Sequence, residues 1–381
     1  MSGILQGALG GSRALLLGWF LPSAINILLY GALVDPRHSG FDALSGGSGD
    51  AARPALYALT GTLVLGLLLA SLQTQLYRLL EGYLAWPDSL FRAVVRRHLS
   101  RKHLLQNRLQ AAMLVQAEAA GPLSAEYAAA LAASRAHPVT GRYVDRDARR
   151  GPVWLAILEE RLNRYPVDDR QFAATRLGNA IRRLEEYGYD RFRLDTQVVW
   201  HELIAVAPEQ ARKQAEDSRT GVDFFVCLLY GHLLVAAAAF LRLGFGSPHP
   251  AWKLWALAGV LLALIPVWYR TAVVATDDWT GSVKALVDLG RKPLAEALGL
   301  ELPGSLAAER SMWTLAGGLT SSPYSEQAGQ LDPFRAPATR DGGKADAATE
   351  AGADAGSEDG AEAEVAIEAR GEGVTEAATP S

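Results

Sequence analysis

Four stretches of the chain are almost free of polar side chains: Ala14–Val34, Ala55–Leu76, Val222–Leu243 and Leu254–Val274. Crossing the roughly 30 Å hydrocarbon core of a bilayer takes about 20 apolar residues at about 1.5 Å each. Backbone N–H and C=O groups find no water there, so each must be paired within its own segment. Each stretch is therefore expected to be a transmembrane helix. The first has an alternative as the apolar region of a signal peptide. Its length, and the lack of a small-x-small site after it, speak against that.

Between the windows the pattern changes to helical spacing. The second window is expected to run on as helix through "QTQLYRLLEGYLAW" as far as Pro87. A long helix follows, with Asp88 or Ser89 as N-cap and Gly121-Pro122 as its stop. Leu90, Val94, Leu104, Leu105, Leu109 and Met113 mark its apolar side. Residues 136–151, "AHPVTGRYVDRDARRG", read as a loop. Helices are expected again near Val153–Arg164, Arg170–Tyr187, Asp195–Ala207 and Pro208–Thr220. Tyr187-Gly188 supplies a stop, and Pro208 a first-turn residue. The last of these feeds into the third window. After the fourth window, Asp277 or Asp278 and Ser305 are candidate caps for at least two short helices. No strand-like run occurs.

The expected fold class is therefore all-α, with four transmembrane helices in two hairpins and a helical cytoplasmic domain inserted between spans 2 and 3. The expected units are a first hairpin with its helical extension (1–88) and the cytoplasmic domain (89–220). A second hairpin (221–276), C-terminal cytoplasmic helices (277–331) and a disordered acidic tail (332–381) follow.

Charge orients this arrangement. The segment between spans 1 and 2 carries only Arg37 and Arg53, beside three aspartates, and its "DALSGGSGD" centre reads as a flexible loop. Residues 79–219 carry 22 Lys or Arg. Cations mark the cytoplasmic side, although long segments obey that rule less strictly than residues next to the span ends. Arg78, Arg92, Arg96 and Arg97 lie soon after span 2, which places the insert and both termini in the cytoplasm. Arginine outnumbers lysine 31 to 6, as a GC-rich bacterial genome favours, so the expected location is the bacterial plasma membrane. The net charge of −4 hides this bias, because residues 332–381 hold 12 acidic against 4 basic groups. That tail is nearly devoid of aliphatic and aromatic mass, too little to offset its ordering entropy. The single cysteine, Cys227, excludes an intrachain disulfide.

Candidate chemistry is sparse. "HELIA" at His201–Ala205 begins like a zinc-protease motif, but Ala205 occupies the second ligand position. His98 and His103 do not share a helix face, and no P-loop or nucleophile elbow is present. Adjacent carboxylates such as Asp168-Asp169 and Glu185-Glu186 diverge on a helix. No catalytic set, metal site or cofactor is expected from these residues. Asn26, Thr60, Thr62, Gln73 and His232 lie inside spans, where polar groups are costly. His232 either hydrogen-bonds across the bundle to Asn26 or a threonine, or serves a proton or ion path. Gly231 and the alanines at 236–239 offer a small-residue packing face. Asp223, Arg242 and Arg270 stand at span ends, where snorkelling accommodates charge.

Two basic or polar clusters lie in the soluble part. Arg92, Arg96, Arg97, Arg101 and Lys102 crowd one half of the first long helix, which either lies on anionic lipid or faces water. Nucleic acid is an unfavoured partner, since acidic neighbours weaken the field and no binding motif is present. Arg176, Gly178, Asn179, Arg182, Arg183 and Glu186 fall within three turns. They form either a network tying helices together or a pocket for an anion.

"RLLEGY" (Arg78–Tyr83), "RLGNAIRRLEEYGYDRFRLDTQVVW" (Arg176–Trp200) and "DLGRKPLAEALGLELPGSLAAERSMW" (Asp288–Trp313) together resemble a family of uncharacterised bacterial, actinobacterial-type multi-pass membrane proteins. Gly178, Asn179, Glu186, Tyr187, Asp195 and Trp200 fit its pattern. Phe192-Arg193 stands where Tyr-Gly is usual, and His201 replaces a proline. The resemblance implies architecture and no activity. The expected function is a non-enzymatic scaffold, sensor or partner-docking protein. The alternative is an oligomeric channel or transporter with a pore formed by the four spans. The bilayer, a second copy of the chain and a protein partner for the soluble helices are the partners this allows.

Overall fold

In the computed structural model, which describes residues 13–41, 52–245, 251–321 and 326–335, the first apolar window becomes α1 (Arg13–Val34). A short α2 (Pro36–Ser39) follows. Pro22 has no N–H to give, and the turn ahead of it widens: Leu21 N–H reaches back five residues to the Leu16 carbonyl. The second window becomes α3 (Ala52–Ser71), and after a break at Leu72 the chain continues as α4 (Gln73–Glu81). Helix ends at Gly82, not at Pro87. Gly82 takes the left-handed conformation (φ +92°), and the Tyr83 N–H closes back on the Arg78 carbonyl at 2.9 Å.

Between the second and third apolar windows lie α5 (Asp88–Ala120), α6 (Ala125–Ala136), α7 (Gly141–Arg149), α8 (Gly151–Leu162), α9 (Arg176–Phe192) and α10 (Trp200–Val206). Helix α5 starts after Pro87 without a side-chain cap, so neither Asp88 nor Ser89 serves as one. The expected loop at 136–151 is largely helix α7. Its Asp147 is held by Arg108 of α5, a tertiary tie that local propensity does not reveal. Helix α9 begins six residues later than expected, because Thr175 is its N-cap and accepts from Gly178 N–H at 3.0 Å. It also runs past the expected stop at Gly188. Arg193 adopts the left-handed turn instead (φ 61°), and Leu194 N–H bonds to the Gly188 carbonyl.

Helix α11 (Glu209–Gly244) and helix α12 (Ala251–Ala297) each join a membrane-length apolar window to more polar helix without a break. Asp277 and Asp278 therefore lie inside α12 and cap nothing. Ser305 does cap the next helix, α13 (Leu306–Ser321), accepting from Ala308 N–H at 3.3 Å. A 3₁₀ stretch (Glu326–Phe334) folds back beneath it, and Leu331 is buried. The described residues thus reach Arg335, slightly into the region expected to be tail. The remainder of the tail, the 42–50 loop and residues 246–250 lie outside the described residues.

Among the described residues the chain is helical throughout, and one isolated bridge (Leu300 with Arg335) is the sole extended pairing. Four of the helices have the length and apolarity to span a membrane. They differ in role. Only 17% of the apolar window on α3 is buried, against 56% on α11. Leu56, Leu59, Leu63, Val64, Leu67 and Leu68 of α3 all face outward. Helix α11 is the central element. Its Ala236 and Ala239 pack directly on Leu254, Ala258 and Leu261 of α12. In its middle, Val222, Val226, Cys227 and Tyr230 join Trp19, Leu69, Leu177 and Ile181 in one core. Its first turns, through Ala211 and Ala215, enter a separate core with Leu203, Leu286, Leu294, Met312 and Trp313. Helix α5 carries two small clusters of its own, with α6–α7 and with α8.

Candidate functional site

Polar groups gather at several levels along the molecule. Within the apolar bundle, α1 and α11 meet at Asn26 and His232. Both are buried, at 0% and 3% exposure, with His232 Nδ1 2.9 Å from Asn26 Oδ1. The Asn26 amide nitrogen donates to the Pro22 carbonyl at 2.7 Å, so its oxygen is the acceptor facing the imidazole. Nδ1 therefore carries the proton. Gly231 makes this approach possible, since a methyl there would overlap the Asn26 amide. One turn away Ser23 Oγ sits 3.6 Å from Cys227 Sγ, and Trp268 packs edge-on to the imidazole with centroids 6.0 Å apart. Thr60 and Thr62 do not join this group; Thr60 is exposed on α3. Gln73 also lies elsewhere.

Gln73 instead belongs to a second polar level around Asp223. That carboxylate is buried rather than snorkelling outward. It accepts from the Tyr77 hydroxyl at 2.7 Å and from Gln73 Nε2 at 3.1 Å, with Arg219 4.0 Å away. A cleft of ≈ 330 Å³ opens beside it, lined by Tyr77, Glu81, Tyr83, Arg182, Glu185 and Arg219 among others. Burial raises both Glu81 and Glu185 above the usual carboxylate range, against the pull of Arg182. Arg182 donates to the Tyr83 hydroxyl at 2.7 Å. At the opposite end of α11, Arg242 does not simply reach for solvent. It pairs with Asp35 at 2.5 Å, and Asp35 also meets His38 Nδ1 at 2.6 Å.

The six residues expected to cluster on α9 separate into distinct tasks. Asn179 is fully buried and holds the turn before its own helix. Its Oδ1 accepts from Ala173 N–H at 3.0 Å, and its Nδ2 donates to the carbonyls of Ala173 and Thr175. Gly178 lets the Glu81 backbone pass, since a Cβ there would lie 2.7 Å from the Glu81 carbonyl oxygen. Glu186 accepts from the N–H groups of Val167 (2.8 Å) and Asp168 (3.4 Å); burial nevertheless raises it. Arg183 keeps one buried guanidinium nitrogen, Nη1, without a hydrogen-bond partner. Arg176 points to a different place, described below.

The basic half of α5 also divides. Arg92, Arg96 and Arg97 are exposed. Lys102 is not a surface cation: it is buried and donates to Asp169 (2.6 Å) and the Val167 carbonyl (2.8 Å). Asp169 takes His103 as well, at 3.1 Å. These pairings, like Arg164 with Asp277, join residues far apart in sequence, and no local pattern announces them. Among the described residues no group of three His, Cys, Asp or Glu side chains converges as a metal site would require.

His98 on α5 is buried beside Tyr165, its Nδ1 3.4 Å from the hydroxyl. Burial first, then the fields of Arg101 and Arg176, push its pKa down to about 4. The folded ring is neutral, while an unfolded imidazole titrates near about 6.5. Unfolding must therefore take up a proton in between. The contribution is intact above the unfolded value and lost as pH falls toward the folded one. Between pH 7 and pH 5 the loss is expected to be about 2 kcal/mol. Thermal melts in detergent at the two pH values, with His98→Gln flattening the difference, check this.

No family model, curated protein or solved structure matches the chain.

Proposed function

We propose that the chain is a four-span protein of the bacterial plasma membrane that acts as a non-enzymatic scaffold, sensor or docking platform. In this arrangement α1 and α3 form one hairpin, the apolar halves of α11 and α12 form the other, and residues 79–219 are a cytoplasmic insert. Both termini lie in the cytoplasm. The resemblance to the actinobacterial-type membrane family belongs to the same proposal.

The observation that carries it is the continuity of α11 and α12. Each is a single helix that joins a membrane-length apolar window, central and more than half buried on α11 and mostly outward-facing on α12, to a separate core at its other end. Continuous helix thereby links the soluble core to the bundle, with Pro266 and Pro293 as the positions in α12 that lack an N–H donor. The closed Asn26–His232 contact supports a structural role for that pair. His232 Nδ1 is engaged by Asn26, whose amide nitrogen is in turn held by the Pro22 carbonyl.

Reporter fusions after residues 46, 150 and 335 are expected to read outside, inside and inside. An insert that read outside would reverse the orientation. In liposomes the purified protein is expected to pass no ions or protons above the protein-free background. Flux that vanished in His232→Ala, at unchanged folded yield, would replace the scaffold with a transporter.

A further inference from the structure

Six arginines surround one cavity of ≈ 580 Å³: Arg101 and Arg108 of α5, Arg161 at the end of α8, Arg164 just beyond it, Arg176 at the start of α9 and Arg270 of α12. No acidic side chain lines it. Two of the six are neutralised. Arg108 is bidentate on Asp147, and Arg164 pairs with Asp277 and Glu160. Arg161 stacks on Trp154, and no carboxylate lies within ion-pair distance of Arg101, Arg161, Arg176 or Arg270 among the described residues. Arg161, Arg176 and Arg270 are exposed and Arg101 is partly buried, so water screens them, but four cations with no carboxylate partner give the hollow a positive field that favours an anion.

A second feature is independent of charge. The Tyr269 hydroxyl accepts from two backbone N–H groups, those of Arg176 (3.1 Å) and Leu177 (3.2 Å). With both lone pairs used, its own proton remains to be donated, and no described residue accepts it. An anion oxygen in the cavity would satisfy it. The floor is not polar throughout. Leu104 and Leu105 face it from α5, and Val273 and Val274 face it from the inner end of the fourth span. Val274 is more than half exposed, so the cavity opens onto the surface that hydrocarbon would cover.

We propose that this cavity is a binding site for a net-anionic phosphate, held by Arg101, Arg176, Arg270 and the Tyr269 hydroxyl, and that its source is the headgroup of an acidic phospholipid in the inner leaflet. Guanidinium groups match phosphate oxygens in charge and geometry. The acyl chains then run outward from Arg270 along the exposed Val267 and Val260 of the fourth span. The proposal rests on the membrane placement of α12. It differs from a general attraction of the basic helix to the surface, because it assigns the binding to a cavity and leaves Arg92, Arg96 and Arg97 out of it.

The test uses the full-length protein in a neutral detergent. Short-chain phosphatidylglycerol, short-chain phosphatidylcholine and inorganic phosphate are titrated separately and read by thermal stability and native mass spectrometry. Phosphatidylglycerol is expected to bind at least about tenfold more tightly than phosphatidylcholine. The Arg101→Gln/Arg176→Gln/Arg270→Gln variant is expected to lose that preference. Its lipid-free melt, and that of the exposed single variant Arg270→Gln, verify folding. The charge-matched variant Arg92→Gln/Arg96→Gln/Arg97→Gln is expected to keep the preference. Equal loss in both triple variants, or no preference for either anion over phosphatidylcholine, overturns the site. Inorganic phosphate that binds alone, and is lost only in the cavity variant, upholds the site and moves its source to a soluble phosphate compound. That arm needs no membrane, so a failed topology and a failed site give different results.

Discussion

Gly178→Leu is expected to prevent α9 from docking on α4, and the protein from reaching its folded state in detergent. A Cβ at 178 would stand 2.7 Å from the Glu81 carbonyl oxygen and 3.0 Å from its Cα, both backbone atoms that cannot swing aside. The opposing segment is equally constrained. Gly82 is left-handed, and a Cβ on it would lie 2.7 Å from Ala174 Cβ. Two glycines thus allow the end of α4 and the start of α9 to cross at backbone contact. Even Gly178→Ala, which gains about 1 kcal/mol of helix propensity, is expected to lose a net 1–3 kcal/mol, roughly the cost of overpacking a tight contact. Gly281→Ala supplies the control. It sits in α12 with nothing within 4 Å of a new Cβ, so the same propensity gain should appear as stabilisation. Denaturant titration followed by tryptophan fluorescence separates the outcomes. Stability unchanged in Gly178→Leu would show that α9 is not held at this crossing.

The unusual cost of a glycine inside a helical pattern is visible in the sequence, and so are the four windows, because a span needs a long unbroken apolar run whatever surrounds it. What the sequence hides is direction. Asn26 and His232 are separated by more than two hundred positions, and only their depth in the windows suggests a meeting. Thr60, equally polar and equally inside a window, faces outward. Asp223 looks like a snorkelling end residue until Tyr77 and Gln73 are seen to close over it. Lys102 belongs to a basic run by spacing, but to the Asp169 turn by contact. The arginine cavity is illegible for the same reason. Its lining comes from α5, the end of α8, the start of α9 and a membrane-length helix, and nothing local ties Arg101 to Arg270. Helix boundaries depart from the local signal where a tertiary partner overrides it: Arg193, not Gly188, takes the left-handed turn.

Helix α7 is the sharpest instance of that override, and it carries the other large expected effect. "GRYVDRDAR" has little apolar mass, and in isolation nine residues are too few to hold a helix. Asp147 supplies what propensity does not. It is fully buried, accepts from Arg108 Nε (2.7 Å) and Nη2 (2.9 Å), and takes Trp154 Nε1 at 2.9 Å. Arg108 in turn lies over the Tyr143 ring, 4.3 Å from its centroid. Asp147→Ala leaves a guanidinium and an indole N–H without their acceptor, and is expected to cost about 3–5 kcal/mol. Replacing both charges, as Arg108→Met/Asp147→Leu, is expected to recover most of that loss, because it removes the unpaired charge along with its partner. Burial alone would raise the Asp147 carboxyl, but the hydrogen bonds of Arg108 and Trp154 outweigh it and hold the group below the usual carboxylate range. A depressed carboxylate contributes stability above its unfolded value, near about 3.9, and loses it only as pH falls through the folded one. Between pH 7 and pH 5 Asp147 is thus silent, while the His98 imidazole of the unfolded chain takes up its proton. Hydrogen exchange across α5 to α8 at both pH values therefore reads the two groups apart. Asp147→Ala should raise exchange equally at each pH, and a deficit confined to pH 5 would mean that the ion pair does not hold this helix.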